Sequence, residues 1–280
     1  MTFIRFFVFA SLVLLTGQVC VGQVADAAEW ALPKHVDLSP QFDRWELPRR
    51  NQGERPTCSV FTVVGALEFT RAKHGRRKGH LSVEYANWAK NRASSTATDG
   101  GFFHLIWRGV HSHGICDEDL YPYKEKFDAS VEPNELARKN ATEFLNLPIT
   151  IRWIKRWDPK TGLEDSQMLE IKKALHSGWP VCVGLRWPHK AVRDENDVLL
   201  SVPENDVFDG HSVLFVGYQD DERVEGGGYF ILRNTNNPRH NEKMSYRYAK
   251  NFANDALFFP LTEQNRPEEK PLPQSGITSR

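Results

Sequence analysis

The hydrophobic pattern changes period once along the chain, and that change limits the fold. Before about residue 130 apolar residues recur at helical spacing. Val60, Val63, Val64 and Leu67 share one face, as do Phe102, Leu105, Ile106 and Val110. After it come three runs with strand composition: PVCVGLRW (Pro180 to Trp187), HSVLFVGYQ (His211 to Gln219) and GYFILRNT (Gly228 to Thr235). Helices first and strands second predict an α+β protein, with a cleft where the halves meet.

The expected elements follow from local signals. Residues 28–57, punctuated by Pro33, Pro40, Pro48 and Pro56, read as extended or looped. A helix is expected from Cys58 or Ser59 to about Lys73. Ser82 is the expected N-cap of a second, LSVEYANWAKN, and FFHLIWRGVHSHG reads as a third. FLNLPITIRWI (Phe144 to Ile154) alternates like a strand. SQMLEIKKALHSG reads as a helix opened by Ser166 and stopped by Gly178. The expected organisation is a helical half over residues 28–130, a β-rich half over 131–264, and a disordered tail over 265–280.

The first 27 residues read as a secretory signal peptide. Arg5 gives a positive start, Phe6 to Leu15 an apolar stretch, and Ala25-Asp26-Ala27 a small-residue cleavage site. The apolar stretch is too short for a membrane span. An exported protein is therefore expected, with no membrane attachment after cleavage. Lys+Arg and Asp+Glu both number 36, so nothing in the charge points to nucleic acid. Of four cysteines three remain beyond the leader: Cys58, Cys116 and Cys182. An odd number in an oxidising compartment leaves at least one free thiol; Cys116 and Cys182 could pair.

Cys58 stands where the loop NQGERPT turns into a helix. A helix N-terminus favours a thiolate, because its free N–H groups and dipole stabilise the anion. A cysteine nucleophile also needs a base, a group to orient that base, and donors for an oxyanion. His211, at the start of an apolar strand, is the candidate base. Asn234, at the end of the next, could accept the imidazole N–H. Gln52 could offer its amide to the oxyanion. Taken singly, His211 fits a polar strand edge and Asn234 a turn residue better than a catalytic role.

Together these residues resemble the papain-like cysteine peptidases. NQGERPTCSVFTVVGALEF is similar to the family's glutamine–cysteine–helix segment, GHSVLFVGY to its histidine strand and YFILRNTNN to its asparagine strand. LPKHVDLSPQF, LSVEYANW, the Asp99-Gly100-Gly101 turn and GICDEDLYPY extend the likeness over most of the chain. The resemblance implies a helical half packed on a β-barrel-like half, with the active site between them. It implies Cys58 as nucleophile, His211 as base and acid, Asn234 as orienter and Gln52 as oxyanion donor with the Cys58 N–H. Gly100 and Gly101 would line the substrate side. The implied reaction is hydrolysis of a polypeptide through a thioacyl-enzyme, with no cofactor or metal.

The sequence departs from the family pattern in several ways, and it lacks the framework cysteines of the eukaryotic secreted members, which implies a divergent, bacterial-type relative. Ser59 replaces the aromatic residue after the cysteine, and Pro56-Thr57 replaces the small pair before it. Thr235-Asn236-Asn237 follows Asn234 without the tryptophan that normally shields the histidine–asparagine bond, which implies a slower enzyme rather than a different fold. About 30 residues separate the expected cleavage point from Cys58, too few for a long inhibitory propeptide. Two rival readings stand beside the peptidase: an inactive peptide-binding relative, and an acyl transferase. Weaker motifs are His111-Ser112-His113, which reads as a solvated helix end rather than half a metal site, and Asn140-Ala141-Thr142, a glycosylation acceptor in a suitable host.

Overall fold

The structure, a computed structural model, describes residues 32–75, 79–236 and 239–262. The expected signal peptide and C-terminal tail lie outside these residues.

The first half is helical as its spacing predicts, with an addition at its start. Residues 28–57 are not all loop: His35–Asp37 forms strand β1 and Ser39–Arg44 helix α1. Helix α2 spans Cys58–Gly75 and is buried on almost every side. Its polar residues are therefore each given partners. The Thr70 hydroxyl donates to the Phe259 carbonyl at 2.7 Å, and Glu68 accepts from the Leu81 N–H at 2.9 Å. Helix α3 (Val83–Ser94) opens at Ser82, whose Oγ accepts from the Tyr85 N–H, the predicted cap. Helix α4 (Phe103–His113) crosses α3 at Gly109, where an added Cβ would lie 2.4 Å from the Lys90 backbone nitrogen.

The second half differs more from expectation. Phe144 ends a helix, α5 (Glu135–Phe144), and only Arg152–Lys155 forms strand β2. Helix α6 spans Asp165–His176 and is capped by Glu164 through a capping box with Gln167, so Ser166 lies inside it. The three expected strands are present as β3 (Val181–Pro188), β5 (Val207–Asp220) and β6 (Gly228–Arg233), with the short β4 (Val198–Leu199) between β3 and β5. Strand β5 starts four residues before His211. Strand β7 (Glu242–Ser245), helix α7 (Tyr246–Phe252) and strand β8 (Ala253–Phe258) complete the chain.

The strands form one sheet in the order β2-β8-β3-β5-β6-β7-β4, with β1 also paired to β5. Its edge strands β2 and β4 do not meet, so the barrel-like half is an open sheet. Pairing is antiparallel except between β4 and β7. The sheet packs on α2 in a shared core that holds Val60, Val63, Val64 and Leu67 from the helix beside Val183, Val213, Phe215 and Phe230 from the sheet. Strand β1, from the helical half, pairs Val36 with Tyr218, so the N-terminal segment is woven into the sheet. Among the described residues no helix is long and apolar enough to cross a membrane.

Candidate active site

The cleft runs between the start of α2 and the β3–β5–β8 part of the sheet. It holds a cavity of about 350 Å³ whose walls include Cys58, Ser59, Gly101, Phe102, Trp157, Leu185, His211, Ser212 and Asp255. Each wall residue has a local cause. Cys58 is the first residue of α2, so the N–H groups of the first turn surround it. His211 pairs with Leu185 of β3 and Ser212 with Gly184, which holds the imidazole on a central ladder. Asn234 directly follows β6.

The polar groups have only one consistent assignment. Asn234 Oδ1 accepts from the Asn236 N–H at 3.1 Å, and a backbone N–H can only donate. The other amide atom is therefore Nδ2, which donates to Glu242 Oε1 at 2.9 Å. His211 Nε2 lies 3.0 Å from the same Oδ1, so it must carry the proton and donate. That leaves His211 Nδ1 as the ring nitrogen without a role in this contact. The Trp187 ring meets His211 edge to face at 4.6 Å between centroids. Strand β3 thus supplies an aromatic cover for the imidazole that the residues after Asn234 do not.

Burial acts on both titratable groups. It pushes the Cys58 thiol up from its ordinary value, against the N–H groups of Ser212, Ser59 and Cys58 and the Ser212 hydroxyl, which favour the thiolate. It lowers the His211 imidazole, against the Asn234 hydrogen bond and the Glu242 charge. The Cys58 thiol donates to the Gly210 carbonyl at 3.7 Å. Taken singly, each group is held neutral. Moving the thiol proton to the imidazole makes both charges at once, and their attraction offsets the two desolvation costs.

Gln52 is 6% exposed and lies outside the cavity lining. Its Oε1 accepts from the Thr235 hydroxyl at 2.6 Å, and its Nε2 donates one hydrogen to the Arg55 carbonyl at 2.9 Å, leaving the second. Gly101 lines the cavity, and its N–H donates to Ser59 Oγ at 3.1 Å. Gly100 lies behind it, at φ +64°, where a Cβ would come 2.3 Å from the Pro56 carbonyl oxygen; only glycine fits. Ser59 and Pro56, two departures from the family pattern, are thus the residues the Gly100-Gly101 turn rests on.

The family model for the papain family cysteine protease matches residues 32–257. This chain belongs to the papain family. Cathepsin J of Mus musculus is 25% identical over 210 residues, covering 72% of this chain and 58% of that protein. A cathepsin L-like protein of Caenorhabditis elegans is 23% identical over 243 residues, covering 82% and 64%. The chain therefore spans less than two thirds of the length of these relatives. Xylellain, a cysteine protease from Xylella fastidiosa, has a similar fold: 22% identity and a TM-score of 0.65, over 83% of this chain and 87% of that one. Procathepsin L 3 of Tenebrio molitor larval midgut gives a TM-score of 0.59 at 21% identity, over 84% and 72%.

Within this papain-family fold the remaining sequence expectations divide. Cys58, Cys116 and Cys182 are all free and buried, so Cys116 and Cys182 are not bonded. Burial pushes Cys116 up to about 12 and Cys182 well above its ordinary value. His111 and His113 close α4 beside indoles, Trp107 and Trp88 respectively. Asn140 is used structurally: its Oδ1 accepts the Asp117 N–H at 2.9 Å.

Several residues of the site were not singled out from sequence. Ser212 is a small residue in an apolar strand. Phe102 and Trp157, both lining the cavity, meet edge to face with ring centroids 5.1 Å apart. Asp255, 4% exposed, is pushed up to about 7 by burial, against the Gly184 N–H and the Lys155 charge. An Asn-Asp pair inside the apolar run FANDALFF was the available signal, since buried acids are rare without a purpose. Glu242 and Arg193 carried no local signal.

Proposed function

We propose that this chain is an exported cysteine peptidase that hydrolyses peptide bonds at Cys58, His211 and Asn234. The observation that carries the reading is the fixed polarity of the His211–Asn234 contact, in which His211 Nε2 keeps its proton and donates it to Asn234 Oδ1, leaving Nδ1 for a thiol in the same cavity. The Cys58 thiolate attacks the peptide carbonyl carbon. The oxyanion takes a hydrogen bond from the Cys58 N–H and one from the free Nε2 hydrogen of Gln52. The imidazolium gives its Nδ1 proton to the departing nitrogen as the C–N bond breaks, leaving a thioester. Water then attacks the thioester, its proton passing to Nδ1, and the acid leaves as the thiol re-forms. Gly100 and Gly101 flank the non-primed side of the bound chain. The segment of residues 1–27 directs export.

The test is hydrolysis of a mixed fluorogenic peptide library by the wild type and three variants. Cys58→Ala should show no turnover, and His211→Ala should lose at least about a thousandfold. Asn234→Ala should lose less, roughly ten- to a hundredfold, because it only orients the base. Full turnover by Cys58→Ala would overturn the reading. The rival reading, a peptide-binding relative, is favoured by the burial that holds both Cys58 and His211 neutral. It predicts peptide binding without turnover in the wild type.

A further inference from the structure

A buried acid stands directly behind the orienting amide. Glu242, the first residue of β7, is 3% exposed and sits opposite Leu232 in the sheet. Burying a carboxylate costs free energy unless both oxygens are used. Oε1 accepts from Asn234 Nδ2 at 2.9 Å, and Oε2 is ion-paired to Arg193. Arg193 comes from the segment between β3 and β4 and is itself held, donating to the Asp197 carbonyl at 3.1 Å with Nε 3.6 Å from the Asp197 carboxylate. A continuous chain therefore runs Arg193–Glu242–Asn234–His211.

We propose that Glu242 is a positioning residue for His211, acting through Asn234 to fix the ring and to favour its protonated form. The proposal rests on the reading of Cys58 and His211 as nucleophile and base. Two physical effects support it. A carboxylate at Nδ2 prevents the Asn234 amide from turning over, and it makes Oδ1 a stronger acceptor for the imidazole N–H. Its charge also acts on the ring through space, and a nearby negative charge raises an imidazole. The other charged groups do not cancel this. Arg193 is on the far oxygen, and Asp197 pairs outward with His240 at 3.5 Å. Lys243, next along β7, donates to the Asn196 carbonyl at 3.1 Å.

The decisive variant is Glu242→Gln, which keeps the shape and one acceptor oxygen for Asn234 Nδ2 and removes the charge, giving up the acceptor that Arg193 uses. Its folding is checked by circular dichroism. The first readout is the His211 pKa by imidazole NMR in a Cys58→Ala background. It should fall by about one unit, a tenfold change in the imidazolium ratio at fixed pH. The second readout is iodoacetamide labelling of Cys58, mapped by peptide, in the otherwise native protein. Its plateau between about pH 5 and pH 7 should drop roughly three- to tenfold, with labelling rising instead near the ordinary thiol value of about 8.5. Glu242→Asp, which keeps the charge, should recover part of both. If Glu242→Gln does not fold, the double variant Glu242→Met with Arg193→Met removes the pair together, and both readouts should move the same way. An unchanged His211 pKa and an unchanged plateau, in a wild type that labels well below pH 8, would overturn this proposal alone. A wild type that labels only near about pH 8.5 overturns the site reading, and this proposal with it.

Discussion

At the residue scale, environment decides what a side chain does more than its type. The three described cysteines are all buried, yet Cys58 is the one that lines the cleft cavity, where the N–H groups of Ser212 and Ser59 reach it. Asp255 shows the same dependence. Its carboxyl titrates at about 7 in the fold against 3.8 ordinarily, because the cavity wall desolvates it. A raised acid binds its proton more tightly when folded. The fold therefore loses stability as pH climbs from about 4 through 7, and the loss is complete above that, about 4 kcal/mol at most. Asp255→Asn removes the penalty. Its melting temperature should match the wild type near pH 4 and exceed it by several degrees at pH 8, measured by calorimetry across that range. A difference that stays constant with pH would mean that Asp255 does not titrate as the cavity implies.

At the scale of elements, close approach is set by small residues and charge by compensation. Helices α3 and α4 touch through Gly109, where any Cβ would overlap the Lys90 and Ala89 backbone. Gly109→Ala should force the helices apart and cost about 1–3 kcal/mol in urea unfolding. A neutral result would show that the crossing can relax. The entry to α2 is tied by a cation. Arg55 donates to Glu84 at 2.6 Å, to Asp99 at 2.7 Å and to the Lys124 carbonyl at 2.7 Å, with all three side chains nearly buried. Those bonds join the Cys58 loop, α3 and the Gly100 turn. Arg55→Met would leave two buried carboxylates without their partner. The expected cost is about 3–5 kcal/mol by urea unfolding. Labelling of Cys58 should also change, since the loop that carries it loses its anchor.

At the scale of the whole molecule, the long strand β5 is the organising element. One part of it pairs with β3 and puts His211 and Ser212 on the cleft; the other pairs with β6, bringing Asn234 alongside, and takes in β1 from the far end of the chain on its opposite edge. The cleft depends on this arrangement, because its walls come from positions as separated as Cys58 and Asp255. Helix α2 lies against β5 and is nearly all buried, which is why its face shows no clean amphipathic stripe and why Glu68, Thr70 and Arg71 need individual partners.

Much of this was legible in the sequence where the signal is local. Helix periodicity, the Ser82 cap and the strands around His211 and Asn234 are properties of a few neighbouring residues, and they appear as expected. Other local signals misled or were absent. FLNLPITIRWI alternates like a strand but begins inside α5, where Phe144 packs into the core and overrides the pattern. Short β1, β4 and β7 are held by pairing rather than by propensity. Family membership was legible because the cysteine, histidine and asparagine segments each carry enough neighbours to be told from chance.

The sequence by itself determined the α+β character, the position of Cys58 at a helix start and the order of the segments around His211 and Asn234. Each follows from interactions within a turn of helix or along one strand. Only the tertiary structure decided which way the Asn234 amide points, that Trp187 covers the imidazole, that Ser59 holds the Gly101 N–H, and that Glu242, Arg193 and Asp255 belong to the site. Apart from the Asn234 amide, which Asn236 and Glu242 fix from two and eight residues away, these are contacts between residues far apart in the chain. Hydrogen-bond direction and burial exist only once packing has brought such partners within about 3 Å and removed the water between them.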